Sequence, residues 1–344
     1  MMKLNIVNFV GPNCKMHSST TPEKAKKIVF YFVISWIVVN HVASSWLNHN
    51  PSLHEDPFLI HERNYKEEHK KIDVLFCGNS MSSLCFQPSL IKKKFPDNTF
   101  YNHSILVGGL SVPQLTLNQW TQHNTAPKII IWTVGLYELN GKPSCTTMRV
   151  DRYINITDFP WLMKSGDARY LLLGKMWKNT LSPVSKDYQR WRAHFTGKHT
   201  QSLAKLGPDG AIINFFNTQQ STTPEIWKKN KDMYQNFFTD NFTTDNKAVG
   251  AMQQFINYCK SNNITLVICC PPSCSNYHQL FNSRDDYNWA FNTLKETAIK
   301  NDCDFWDFRE WLSDDMFTDG IHMNSKGILT FNKLIISHLN KIIH

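Results

Sequence analysis

The sequence predicts a three-layer α/β/α fold around a parallel sheet, and three observations carry that prediction. A short apolar run rich in β-formers stands at residues 72–77 (IDVLFC), and further segments that read as strands recur at 98–102, 128–134, 264–270 and 303–308. Stretches with helical patterning separate them, at 111–123, 246–262 and 284–300. Strands that alternate with helices pair in parallel with both sheet faces covered, and such doubly buried strands read as continuous apolar runs. The third observation is bulk composition. With 344 residues, 42% hydrophobic and 19% charged, the chain can bury a sizeable core.

The elements follow in chain order. Residues 1–27 hold five lysines and one acid, which accounts for +4 of the formal charge of +9. The excess charge therefore belongs largely to a tail and argues poorly for nucleic-acid binding, which no zinc-finger, P-loop or RNP motif supports. Residues 28–47 (IVFYFVISWIVVNHVASSWL) are largely apolar, with Asn40 and His41 as two strongly polar interruptions. Twenty residues at ~1.5 Å each span ~30 Å, about the hydrocarbon thickness of a bilayer. Lysines before the segment and Glu55 and Asp56 after it predict a cytoplasmic N-terminus and an outer domain. A cleaved signal peptide, with Ala43-Ser44-Ser45 as its small residues, and a buried soluble helix are the competing readings. Residues 48–70 are polar and charged and read as a juxtamembrane stalk.

The strand at 72–77 is followed by a helix from Ser80, with Pro88 marking a break or a new start. Residues 141–244 interrupt the alternation. They are rich in aromatic and basic residues, with nine Lys/Arg against two acids between Lys164 and Lys205, and read as a largely helical or irregular insertion. The final strand leads to a closing helix from about Ser325 to Ile343. Outside the tail there are eight cysteines, an even number that permits disulfides in an exported domain. Cys77, Cys269 and Cys270 lie within apolar strands, which favours buried free thiols there. No cysteine or histidine cluster has zinc spacing.

The chemistry concentrates at the two ends of the domain. VLFCGNSMS places Ser80 past a strand end and before a helix, where backbone N–H groups can meet an oxyanion and a serine can act as nucleophile. A helix-capping turn is the structural alternative. FTDGIHMNSKG carries Asp319 and His322 on a turn opened by Gly320. His322 can take and return the Ser80 proton, and Asp319 can hold the imidazole tautomer. YNHSILVGGLSVPQL offers Gly108 and Gly109 between a strand and a helix, with Gly109 favoured by its spacing to that helix.

Together these strings resemble the first, second and last blocks of the SGNH (GDSL-like) hydrolase superfamily, over about residues 71–140 and 246–344. The resemblance implies a flavodoxin-like sheet, a Ser80–His322–Asp319 triad, and an oxyanion hole from the Ser80 and Gly109 N–H groups. The third block departs from the family. VGLYELN keeps Gly135 but has Tyr137 where the family has an asparagine donor, and Glu138 where it has aspartate. Tyr137 and Asn140 are the candidate replacements. The layout is similar to membrane-anchored envelope members, such as those of teichoic-acid D-alanylation and polysaccharide O-acetylation. It implies an acyl esterase or acyltransferase without metal or organic cofactor, a glycan or acylated small-molecule substrate, and a membrane-bound acyltransferase as a partner. Tyr277 and His278, in the loop CPPSCSNYHQLF, are candidate substrate contacts, with a plain surface loop as the alternative. The basic, aromatic insertion suits an anionic glycan, or equally a structural lid. A non-catalytic glycan-binding or scaffold domain is the rival reading, and the altered third block is its support.

Overall fold

The computed structural model describes residues 22–48, 71–106, 108–141, 150, 154, 156–164, 169–181, 206–212, 221–240, 242–244 and 247–343. The stalk at 49–70 and most of the basic tail lie outside these residues. An N-terminal helix α1 (Pro22–Asn48) contains an 18-residue stretch, Lys26–Ala43, long and apolar enough to cross a membrane. Its large side chains are exposed from Ile28 to Trp46.

The domain is a five-stranded, all-parallel sheet in the order β2-β1-β3-β4-β5. The strands are β1 (Val74–Cys77), β2 (Phe100–Asn102), β3 (Ile129–Thr133), β4 (Thr265–Cys270) and β5 (Asp304–Asp307). Each falls inside a segment that the sequence marks as a strand. β1 and β3 are buried along their whole length, as central strands covered on both faces must be. In register, Val74 pairs with Phe100 on one side and with Ile129 on the other. The edge strand β5 is half exposed, with only Trp306 buried.

Helices cover the sheet in two layers. The sheet helices are α2 (Ser80–Cys85), α3 (Pro88–Lys92), α4 (Val112–Thr121), α8 (Lys247–Ser261), α9 (Arg284–Lys300) and α10 (Ser325–Leu334). The insertion supplies α5 (Phe159–Lys164), α6 (Arg169–Leu181) and α7 (Pro224–Tyr234). α8 packs beside α4 and α9, while α10 packs on α2 and α3. The expected closing helix is two pieces, because it breaks at Ile335 before a short α11 (Ile336–Leu339). Aromatic rings seal both layers. Trp132 meets Phe255 edge-on at 4.8 Å, and Phe76 stacks on Phe86 at 4.3 Å.

The order of the strands positions the site. The chain runs from β1 to β2 in one direction and then crosses back over β1 to β3. The carboxyl ends of β1 and β3 therefore flank a topological switch point, where open α/β sheets bind their ligands. Gly78 turns the chain out of β1 at φ +147°, and a Cβ there would lie 2.6 Å from the Thr133 carbonyl oxygen at the end of β3. No other residue type fits this approach, which brings the loop before Ser80 against β3.

Among the described residues seven cysteines are free thiols, including Cys77, Cys269 and Cys270. Burial pushes the Cys269 thiol up to about 12, so it stays protonated.

Candidate active site

Ser80 opens α2, and Asn79 caps that helix by accepting the Met81 N–H at 2.8 Å. Buried hydrogen bonds clamp the helix to the end of β2. Asn102 Nδ2 donates to the Ser82 and Phe86 carbonyls at 3.1 and 2.8 Å, and Ser104 Oγ donates to Ser82 Oγ at 2.7 Å. The half-buried Ser80 hydroxyl is thus held on a rigid base with its face toward solvent.

The late motif meets it from the other end of the chain. Phe317 and Met323 pair across a tight turn, and Thr318 N–H donates to the His322 carbonyl at 2.8 Å. Gly320 sits at φ +96°, the left-handed region, with the Trp227 ring 2.5 Å from where a Cβ would be. Asp319 Oδ1 accepts the N–H groups of Ile321 and His322 at 3.1 and 2.8 Å. Its Oδ2 lies 2.7 Å from His322 Nδ1, and His322 Nε2 lies 2.9 Å from Ser80 Oγ. Three residues separated by up to 242 positions form one hydrogen-bonded line. Burial raises the Asp319 carboxyl, but the charge and hydrogen bond of His322, with the Tyr234 hydroxyl, outweigh it and hold the group at about 2.

The two glycines of the second block differ in their hydrogen bonding. The Gly108 N–H is engaged with the Ile105 carbonyl at 3.0 Å, whereas Gly109 contributes only its carbonyl, to Val112 N–H at 3.0 Å. The Gly108 N–H is thus spent within its own turn, which corrects its inclusion among the candidate oxyanion donors.

The third block requires a larger correction. Asn140 is fully buried and turned away into the insertion: its Nδ2 donates to the Phe238 carbonyl at 2.9 Å and its Oδ1 accepts from Thr243 N–H at 3.2 Å. Both ends are committed to holding that segment, so it is no oxyanion donor. Tyr137 is also buried, its ring centroid 4.1 Å from that of Phe238 at a tilt of 31°, and its hydroxyl accepts from Asn79 Nδ2 at 2.8 Å. That bond uses an oxygen lone pair, since an amide nitrogen can only donate.

Glu138 takes part in the same knot. Its Oε2 accepts from Asn79 Nδ2 and from the Gly135 N–H, both at 2.7 Å. Burial pushes its carboxyl up to about 8 against the pull of those two donors. An unfolded glutamate ionises near 4.5, so the folded chain binds more protons between about 4.5 and about 8 and loses stability as pH rises through that window. Glu138→Gln keeps both acceptor contacts and removes the titration. Its unfolding free energy relative to wild type is therefore expected to improve steadily from pH 5 to pH 8, as urea midpoints at several pH values will read. A constant difference would count against a neutral Glu138.

Tyr234 is the residue that sequence reasoning missed. It ends α7 in the insertion, and its hydroxyl donates to Asp319 Oδ2 at 2.7 Å. Burial and the Asp319 charge push its own ionisation up, so it remains a donor. The same segment is tied down around the turn: Thr222 N–H donates to the Phe317 carbonyl at 2.6 Å, and Gln235 Nε2 to the Gln279 carbonyl at 2.8 Å. No local pattern marks Tyr234, because its partner lies 85 residues away. Tyr234→Phe is expected to lower kcat about tenfold with KM unchanged, in line with one hydrogen bond to a charged group at ~1.5 kcal/mol. The Asp319 carboxyl should also titrate higher. Equal kcat in the two proteins would limit Tyr234 to packing.

Tyr277 and His278 line a cavity of about 420 Å³ with Arg284, Tyr287, Arg309 and Asp314. Neither Ser80 nor His322 lines it. Cys274, in its wall, donates its N–H to the Gly320 carbonyl at 3.3 Å, so the cavity adjoins the Asp319–His322 turn. Tyr277 is nearly buried, while His278 Nδ1 lies 3.0 Å from the Ser275 carbonyl. Among the described residues no group of three His, Cys, Asp or Glu side chains has metal-site geometry.

A family model described as "Protein of unknown function (DUF1574)" matches residues 27–339. No curated protein matches the sequence. Among solved structures, an acetyl xylan esterase is 13% identical, covering 79% of this chain and 100% of its own, at TM-score 0.38. A candidate acylhydrolase from Bacteroides fragilis NCTC 9343 is 12% identical, with 82% and 95% covered, at TM-score 0.40. A candidate platelet activating factor from Streptococcus pneumonia is 12% identical, with 93% and 100% covered, at TM-score 0.37.

Proposed function

Since the chain belongs to the DUF1574 family, whose description assigns no activity, we propose that it is a serine-dependent acyl esterase or O-acyltransferase, held on the outer side of a membrane by α1 and acting on an envelope or exported glycan. The observation that carries this reading is the line Ser80 Oγ–His322 Nε2 at 2.9 Å and His322 Nδ1–Asp319 Oδ2 at 2.7 Å. It stands at the switch point of a parallel sheet, and the Ser80 and Gly109 N–H groups are the proposed oxyanion donors.

The chemistry follows from that geometry. Ser80 Oγ attacks the ester carbonyl carbon while its proton passes to His322 Nε2. The developing oxyanion is met by the two backbone N–H groups. Collapse expels the alcohol, which takes the proton from His322 and leaves an acyl group on Ser80. Water or a sugar hydroxyl then gives its proton to His322 and attacks the acyl carbon, and Ser80 recovers its proton. Asp319, ionised at all ordinary pH, holds Nδ1–H and offsets the imidazolium charge.

The glycan part rests on the adjoining cavity and on the insertion. The cavity is lined by the largely buried Tyr277 and Tyr287 together with Arg284, His278 and Asp314, whose planar polar groups suit the hydroxyls and carboxylates of a glycan. Export rests on α1 and the lysines before it.

The test is covalent labelling of the purified protein by a fluorophosphonate, wild type beside Ser80→Ala. An adduct on Ser80 that the variant lacks supports the reading. A folded wild type that never labels would favour the rival, a glycan-binding domain of an acylation complex, for which the diverted Asn140 is the supporting observation.

A further inference from the structure

Ten large hydrophobic side chains are exposed among the described residues outside α1, and five of them lie together between Ile156 and Leu181. Phe159 and Met163 are four apart on α5, and Trp177 and Leu181 four apart on α6, so each helix turns one stripe outward. The flanking faces are fixed to the domain. Leu162 and Met176 are buried against Ile105, Val112 and Leu115, and Asn179 Nδ2 donates to the Ile154 carbonyl at 2.9 Å. Just before α5, buried Asp158 accepts from Gln119 Nε2 at 2.8 Å. The outward stripes are therefore held on a rigid support.

A second contact fixes the level of this face. His41 Nε2 lies 2.9 Å from the Thr180 carbonyl, joining α1 to the last turn of α6. His41 is two residues before the end of the membrane-length stretch at Ala43, ~3 Å along the helix axis. The C-terminus of α6 thus meets α1 where that helix leaves the hydrocarbon. A tryptophan at such a boundary, with Lys175 and Lys178 exposed beside it, has the composition of a helix that lies in the headgroup region of anionic lipid.

We infer that α5 and α6 form a membrane-surface docking face, which seats the domain on the bilayer that α1 spans. This rests on the reading of α1 as an anchor. The two parts together fix the domain's tilt and hold the Ser80 site at a set height above the lipid, within reach of substrates attached to that membrane.

Nitroxide labels on the full chain, in nanodiscs of mixed zwitterionic and anionic phospholipid, test this. Met163→Cys, Trp177→Cys, Val33→Cys and Ile299→Cys are made with Cys14, Cys145 and Cys303 replaced by serine. Power saturation compares collisions with oxygen and with a water-soluble nickel chelate. Labels at Met163 and Trp177 should favour oxygen, as Val33 in α1 does, while Ile299 favours the chelate. Either docking label suffices if the other variant fails to fold. Both docking labels favouring the chelate while Val33 favours oxygen would overturn the docking face, and would assign the patch to a protein partner. A Val33 label that favours the chelate would instead overturn the anchor.

Discussion

Ser80→Ala is expected to reduce turnover of an activated acyl ester by roughly 10³–10⁶-fold, the range seen when a triad serine is removed while other transition-state contacts remain. The thermal midpoint should hardly move. The Ser80 hydroxyl is half-buried, and its hydrogen bond to His322 is the contact it would lose. The cap of α2 comes from Asn79 and its clamp from Asn102 and Ser104, so the helix keeps its supports. A stability change within ~1 kcal/mol is expected, as for a surface-facing substitution. Unchanged turnover would remove Ser80 from the chemistry. A large loss of stability would make the Gly78-Asn79-Ser80 turn a structural element first.

Asp319→Asn tests the other end of the line and should cost about 10³–10⁴-fold in kcat. The backbone N–H groups of Ile321 and His322 both donate to Oδ1, so the amide oxygen of an asparagine will take that position. Its NH₂ group must then face His322 Nδ1, which becomes an acceptor. The imidazole proton moves to Nε2, pointing at Ser80, and the base can no longer take the serine proton. The fold should survive, because the turn-forming contacts at Oδ1 persist. The acid side gives a second readout. Asp319 ionises at about 2 when folded and at 3.8 otherwise, so wild type holds a stabilising contribution above about 4 that fades as pH falls toward about 2. Asp319→Asn should lack that part of the acid transition. A variant that keeps near wild-type kcat would show that His322 does not depend on Asp319.

The legible parts of this protein are those in which chemistry is encoded by neighbours in the chain. The central strands β1, β3 and β4 fall within apolar runs, since a strand buried on both faces must be apolar almost throughout, while the edge strand β5 (DFWD) keeps two aspartates on its exposed positions. Gly78 and Gly320 mark turns that other residues cannot make, and they flag the two segments carrying Ser80 and His322. Spacing to the next helix favours Gly109 over Gly108, and the structure engages the Gly108 N–H with the Ile105 carbonyl.

What the sequence determined by itself was the sheet, its covering helices and the three residues that meet at its carboxyl edge. The tertiary structure alone decided how the insertion serves them. Asn140 looked free to serve the site, yet its amide is consumed by Phe238 and Thr243, about a hundred positions away. Tyr234 looked like one aromatic among many, yet it completes the hydrogen bonding of Asp319. The physical reason is common to both. Strand and turn signals are local, set by periodicity and backbone sterics, whereas a side-chain hydrogen bond depends on which donor the fold delivers within 3 Å, and no local pattern records that delivery.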